Sequence, residues 1–154
     1  MAQFLELVGD KIPSLVGIKF SSANLEEATQ VFHVNNKEFV IFLGNDQIMA
    51  GGFAQGMDSA ITTTMNMLPQ IGVGILKASS SGDMTKAREL QEELAKASKA
   101  ISKYGTRVET MKAAMGLLTP FDMGPPRAPM HPLSTESIAL MKQGLQALKY
   151  EVLR

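Results

Sequence analysis

Few residues in this chain combine a reactive side chain with a position that could use it. Lys19 stands near the end of the apolar run SLVGIKF, Ser14 to Phe20, flanked by Ile18 and Phe20. A lysine amine attacks a ketone only when neutral, and an apolar, enclosed setting favours that form by penalising the ammonium. The product would be a Schiff base. On type and position alone, the plainer reading is favoured: a strand-end lysine turns its ammonium to water. Polar residues follow two further apolar runs in the same way. Asn45 and Asp46 come after FVIFLG, Phe39 to Gly44, and Thr62, Thr63 and Thr64 close the run DSAITTT, Asp58 to Thr64. Asn45 or Asp46 also suits a helix N-cap, and the threonines suit ordinary β-propensity.

The elements that would hold these residues alternate. The three apolar runs read as buried strands, expected to be apolar throughout because parallel strands are covered on both faces. Pro13 precedes the first. Between the first and second, ANLEEATQVFH places Leu25, Ala28, Val31 and Phe32 on one helical face, with Ser22 or Asn24 able to cap it. NDQIMAGGFAQG reads as a short helix weakened by glycine, and a helix over roughly Met67 to Lys77 takes Pro69 in its first turn. This is the pattern of parallel βα units. From about residue 79 the chain changes to helices: Gly82 to Lys103, with Met84, Ala87, Leu90, Leu94, Ala97 and Ile101 at helical spacing, then Val108 to Leu118, and a last helix from a Ser134 cap to about Leu148. FDMGPPRAPMHPL between them is too rich in proline for either helix or sheet. The sequence thus divides into βα units over 1–78 and a helical region over 79–154. Three βα units are too few to close a (β/α)8 barrel, which takes about 200 residues or more.

Composition excludes several classes. Fifteen Lys plus Arg balance fifteen Asp plus Glu, so charge gives no reason to expect nucleic acid or an anionic membrane as partner. With no cysteine there is neither a disulfide framework nor a thiolate metal site. His33 and His131 are far apart, and no metal site is expected. Gly72 and Gly74 fall inside a helical stretch, which argues against a phosphate loop. Lys86, Lys96 and Lys103 share their helix with Glu92 and Glu93, a solvated face. The first residues lack a signal-peptide pattern. The longest mostly apolar stretch, Met65 to Leu76, is too short to span a bilayer. A soluble, cytoplasmic protein is expected, and the eleven methionines read as filler of a packed core.

Four segments, in order, resemble the N-acetylneuraminate lyase and dihydrodipicolinate synthase superfamily. GIKFSS, Gly17 to Ser22, is similar to its Schiff-base segment. FLGNDQ, Phe42 to Gln47, is similar to a strand ending in G-x-D-E, with Gln47 where the family has Glu. GMDSAITTTMN, Gly56 to Asn66, follows the spacing of a strand carrying A-x-G-S-T-x-N, with Thr62 for Gly, Thr63 for Ser and Met65 for a common Tyr. MGPPRAP, Met123 to Pro129, resembles a Gly-Pro-Pro-Arg-x-Pro stretch of the animal lyases. The resemblance covers essentially the whole chain.

It implies an α/β fold made of the last three βα units of a TIM barrel, strands six to eight, followed by C-terminal helices. It implies a class I aldolase that splits a sialic acid into pyruvate and N-acetylmannosamine, with no cofactor beyond the covalent Schiff base. Lys19 would be the nucleophile; Ser21, Gly44, Asp46, Gln47 and Thr63 would bind the substrate, a sugar acid or other 2-oxo acid. A homo-oligomer is expected. The family's carboxylate-binding Ser/Thr pair lies on an early strand and its tyrosine one strand before the lysine. Both would precede Met1, and the only tyrosines here, Tyr104 and Tyr150, follow Lys19. A non-catalytic remnant, serving as an oligomerising or ligand-binding module, is the alternative.

Overall fold

The computed structural model describes residues 1–8, 11–32, 34 and 39–154. His33 lies outside the described residues. The chain forms two compact units, Met1–Thr62 with Gly72–Gln91, and Thr63–Ile71 with Glu92–Arg154.

The first unit carries the sheet. Helix α1 (Ala2–Val8) precedes β1 (Gly17–Phe20), α2 (Leu25–Thr29), β2 (Val40–Leu43), α3 (Met49–Ala54) and β3 (Ser59–Ala60). The strands pair in the order β1-β2-β3, all parallel, with Lys19 opposite Phe42 and Phe20 opposite Leu43. The backbones of β1 and β2 come close at Gly17, where a Cβ would lie 2.4 Å from the Val40 carbonyl oxygen. Only glycine fits there. Ile41 and Leu43 are fully buried whereas Val40 is exposed, so β2 alternates and is not covered on both faces, contrary to the sequence expectation.

Other expectations need correction. The first two strands are shorter than their apolar runs. The third keeps only Ser59 and Ala60, and the β-branched residues after it do not extend the strand: Thr63–Asn66 forms a 3-10 turn. Local propensity lost there to the chain's turn towards α4. Helix α2 ends at Thr29, before Val31 and Phe32, although Val31 is still buried. Asn24 is its cap, accepting from the Glu27 N–H at 3.1 Å, while Ser22 accepts from the Asn24 N–H at 3.0 Å. Helix α1 was not expected. It buries only Leu5, too little apolar periodicity to announce a helix.

Helix α4 (Pro69–Ser80) starts on its proline, where the missing N–H costs nothing. Its Gly74 sits against Leu90 of α5 (Met84–Ser102): a Cβ would lie 2.9 Å from Leu90 Cδ1. The expected apolar face of α5 is present, with Ala87, Leu94, Ala97 and Ile101 fully buried.

In the second unit, α6 (Arg107–Leu118) begins with a capping box, in which the Glu109 carboxylate accepts from both the backbone N–H and the hydroxyl of Thr106. Those hydrogen bonds, the Thr106 hydroxyl's first, hold the Glu109 carboxyl below the ordinary glutamate range. Helix α7 (Thr135–Ala147) is capped by Ser134, whose Oγ accepts from the Ser137 N–H at 3.1 Å. The segment from Phe121 to Leu133 is neither helix nor strand, as its prolines require. The chain's last residues are tied down by Leu153 N–H donating to the Leu117 carbonyl at 2.8 Å and by Tyr150 Oη donating to Glu93 at 3.4 Å.

Candidate active site

Lys19 is the penultimate residue of β1, so its side chain is held near the carboxyl end of a parallel strand. Phe20, next in the strand, is buried and fixes the backbone, while Lys19 itself is exposed. Among the described residues it therefore lacks the enclosed setting expected for it. Gly44, directly after β2, is bound through its N–H to the Phe20 carbonyl at 2.7 Å. A Cβ on Gly44 would fall 2.0 Å from Ser21 Oγ and 3.0 Å from Lys19 Cε. Lys19, Ser21 and Gly44 thus form one packed group, and the absence of a side chain at Gly44 leaves room for the other two.

The same strand end continues into a 3-10 turn over Asp46–Ile48, capped by Asn45, whose Oδ1 accepts from the Gln47 N–H at 3.0 Å. Of the two candidates for the cap, Asn45 takes the role. Asp46 is buried, and the Gln47 amide, from an exposed residue, donates to its Oδ1 at 3.5 Å. The turn is clamped from α5: Gln91 Nε2 donates to the Asp46 carbonyl at 2.8 Å and Gln91 Oε1 accepts from the Ala50 N–H at 2.9 Å. Nothing in the sequence singled out Gln91. A glutamine on a charged helix reads as solvated, and only the fold brings it to this turn.

Thr63 opens the 3-10 turn of the second unit and is half-buried. Its hydroxyl accepts from Arg107 Nε and Nη2, each at 3.3 Å, and its carbonyl accepts from Asn66 Nδ2 at 3.0 Å. Beside it lies a pocket of about 350 Å³ whose walls include Met67, Met111, Met115 and Met123. Sequence reasoning missed Arg107. The signal available was a cation at a helix start, where the helix dipole would rather have an anion.

Among the described residues, no three His, Asp or Glu side chains converge on a point that could hold a metal ion. None of the described helices is long and apolar enough to cross a membrane.

N-acetylneuraminate lyase of Rattus norvegicus is 29% identical over 149 residues, covering 96% of this chain and 47% of the relative. The Gallus gallus lyase is 30% identical, over 95% of this chain and 48% of its own. The 4-hydroxy-tetrahydrodipicolinate synthase of Thermoanaerobacter sp. is 30% identical over 98% and 49%. Among solved structures, N-acetylneuraminate lyase of Proteus mirabilis superposes with a TM-score of 0.88 at 28% identity, covering 97% of this chain and 50% of that one. The chain spans about half the length of the curated relatives it matches. Residues 1–148 match the Dihydrodipicolinate synthetase family, and the chain belongs to that family.

Proposed function

We propose that this chain carries the Schiff-base part of a class I aldolase acting on a sugar acid, with a sialic acid as the first candidate substrate and pyruvate and N-acetylmannosamine as products. The reading takes the three parallel strands as the sixth to eighth of a (β/α)8 barrel. The observation that carries it is Lys19 at the carboxyl end of β1, packed with Ser21 on Gly44. Reactions of parallel α/β folds take place at that end of the strands.

In this mechanism the neutral Lys19 amine adds to the substrate ketone, and loss of water gives the iminium. The substrate hydroxyl then loses its proton, the adjacent carbon–carbon bond breaks, and the electron pair flows to the iminium nitrogen. The resulting enamine takes up a proton, and hydrolysis releases pyruvate and regenerates the amine. Ser21, Gly44, Asp46, Gln47 and Thr63 are assigned to substrate binding. Proton transfer and a clamp on the pyruvate carboxylate need further groups. A second reading, a ligand-binding or oligomerising module without turnover, stays beside the first. A cytoplasmic homo-oligomer fits either.

Borohydride reduction in the presence of pyruvate, read by peptide mass spectrometry, tests the assignment. Selective labelling of Lys19, lost in Lys19→Ala, is expected. Labelling spread evenly over the surface lysines would overturn the nucleophile assignment and leave the module.

A further inference from the structure

Gln91 of α5 belongs to the first unit, as does the turn it holds. It meets that turn at two backbone groups four residues apart, the Asp46 carbonyl at 2.8 Å and the Ala50 N–H at 2.9 Å. In an uninterrupted α-helix those two groups would bond to each other. Here both bond to the Gln91 amide. The helical path breaks at the same place: the 3-10 turn ends at Ile48, whose φ of −132° and ψ of 24° are not helical, and α3 starts at Met49. A side chain inserted into a helical hydrogen-bond ladder is one of the few causes of so sharp a break.

Ala50 is the second residue of α3. The N–H at that position has no partner within the helix, and an N-cap side chain usually takes it. Ile48, at the cap of α3, makes no such bond and has no side-chain oxygen to offer. Gln91 Oε1 supplies the acceptor from another helix, while Nε2 beside it holds the Asp46 carbonyl. An uncharged amide presents donor and acceptor together, and its two partners decide which end faces which. The supports on either side are firm. Leu90, next to Gln91, packs on Gly74 of α4, and Gly52 of α3 packs on β2, where a Cβ would lie 2.8 Å from Leu43 Cδ2. Between these supports the turn keeps Asp46 buried and Gln47 exposed. Were the ladder to close, residues 46–48 would wind onto α3, and both side chains would turn with the backbone.

We infer that Gln91 is a positioning residue: by standing in the Asp46–Ala50 ladder it keeps the turn from winding into α3, and so presents Asp46 and Gln47 to the hydroxyls of a sugar acid. The inference rests on the reading of those two residues as substrate contacts. It gives control over the affinity for the polyhydroxy tail to a residue that touches no substrate.

The test uses gluconate, a polyhydroxy acid with no keto group. It forms no imine, so the result is independent of Lys19. Binding to the full chain is followed through the amide signals of residues 45–50, and the local backbone through the 13Cα shift of Ile48. In the unaltered chain gluconate should shift the Asp46 and Gln47 signals, and Ile48 should be non-helical. Gln91→Ala should move the Ile48 shift to the helical range and weaken gluconate at least about tenfold, in line with the loss of a hydrogen-bonded partner. Gln91→Glu keeps the acceptor for Ala50 but sets a carboxylate against the Asp46 carbonyl. It should weaken gluconate as well, and it decides the matter if Gln91→Ala does not fold; thermal unfolding shows which variants do. A general loss of stability would not move the Ile48 shift in a folded variant. Unchanged gluconate affinity in a folded variant, an Ile48 shift that stays non-helical in folded Gln91→Ala, or no shifts at the turn in the unaltered chain at millimolar gluconate would overturn the inference. If pyruvate labelling of Lys19 fails while gluconate binding depends on Gln91, the aldolase reading falls and the positioning role stands; labelling of Lys19 with gluconate binding indifferent to Gln91 removes only the positioning role.

Discussion

The residue that most repays attention outside the candidate site is Tyr150. Burial first, and then the charge and hydrogen bond of Glu93, push its phenol up to about 12 from an ordinary value of 10.0. Since the folded state holds the proton more tightly than the unfolded one, the associated stability is fully present below pH 10 and is lost as pH rises from 10 towards 12. Denaturant titrations over that range should show an alkaline loss that shrinks in Tyr150→Phe, and ultraviolet titration should show a late phenolate step that the same variant removes. Glu93→Gln should bring that step down only in part, because desolvation remains. The candidate site was legible in the sequence to a comparable degree of detail: Lys19, Ser21, Gly44, Asp46 and Gln47 do fall at two adjacent strand ends. The exposure of Lys19 and the clamp by Gln91 were not legible, because both depend on what the fold brings alongside and not on the residues themselves.

Among the elements, the pairing of β1 with β2 depends on two glycines that the sequence presents merely as parts of motifs. Gly17→Ala would drive a methyl into the Val40 carbonyl, a backbone atom that cannot rotate away. A loss of about 1–3 kcal/mol, as for other overpacked positions, is expected from chemical denaturation. Gly44→Ala meets Ser21 and Lys19 side chains instead, so its expected signature is slower pyruvate labelling at Lys19 with a smaller effect on stability. The Ser134 cap of α7 offers a calibration far from the strands: Ser134→Ala should cost about 1 kcal/mol. Helix α5 followed from its periodicity and α7 from its Ser134 cap. The third strand did not, because a threonine run carries the same β-propensity whether it continues a strand or turns away from one.

For the whole molecule, the sheet as described leaves β1 and β3 as its outer strands. Unprotected parallel edges invite pairing. The chain is accordingly expected to run as a dimer or larger, or to aggregate, in light scattering; a stable monomer at high concentration would count against this. A last consequence lies in how the chain threads its two units. It passes from one to the other after Thr62, after Ile71 and after Gln91, the latter two within α4 and α5. Neither unit is a continuous stretch of sequence. A single protease cut cannot release either one whole, and a single fusion or deletion of a gene segment cannot transfer one without breaking the other.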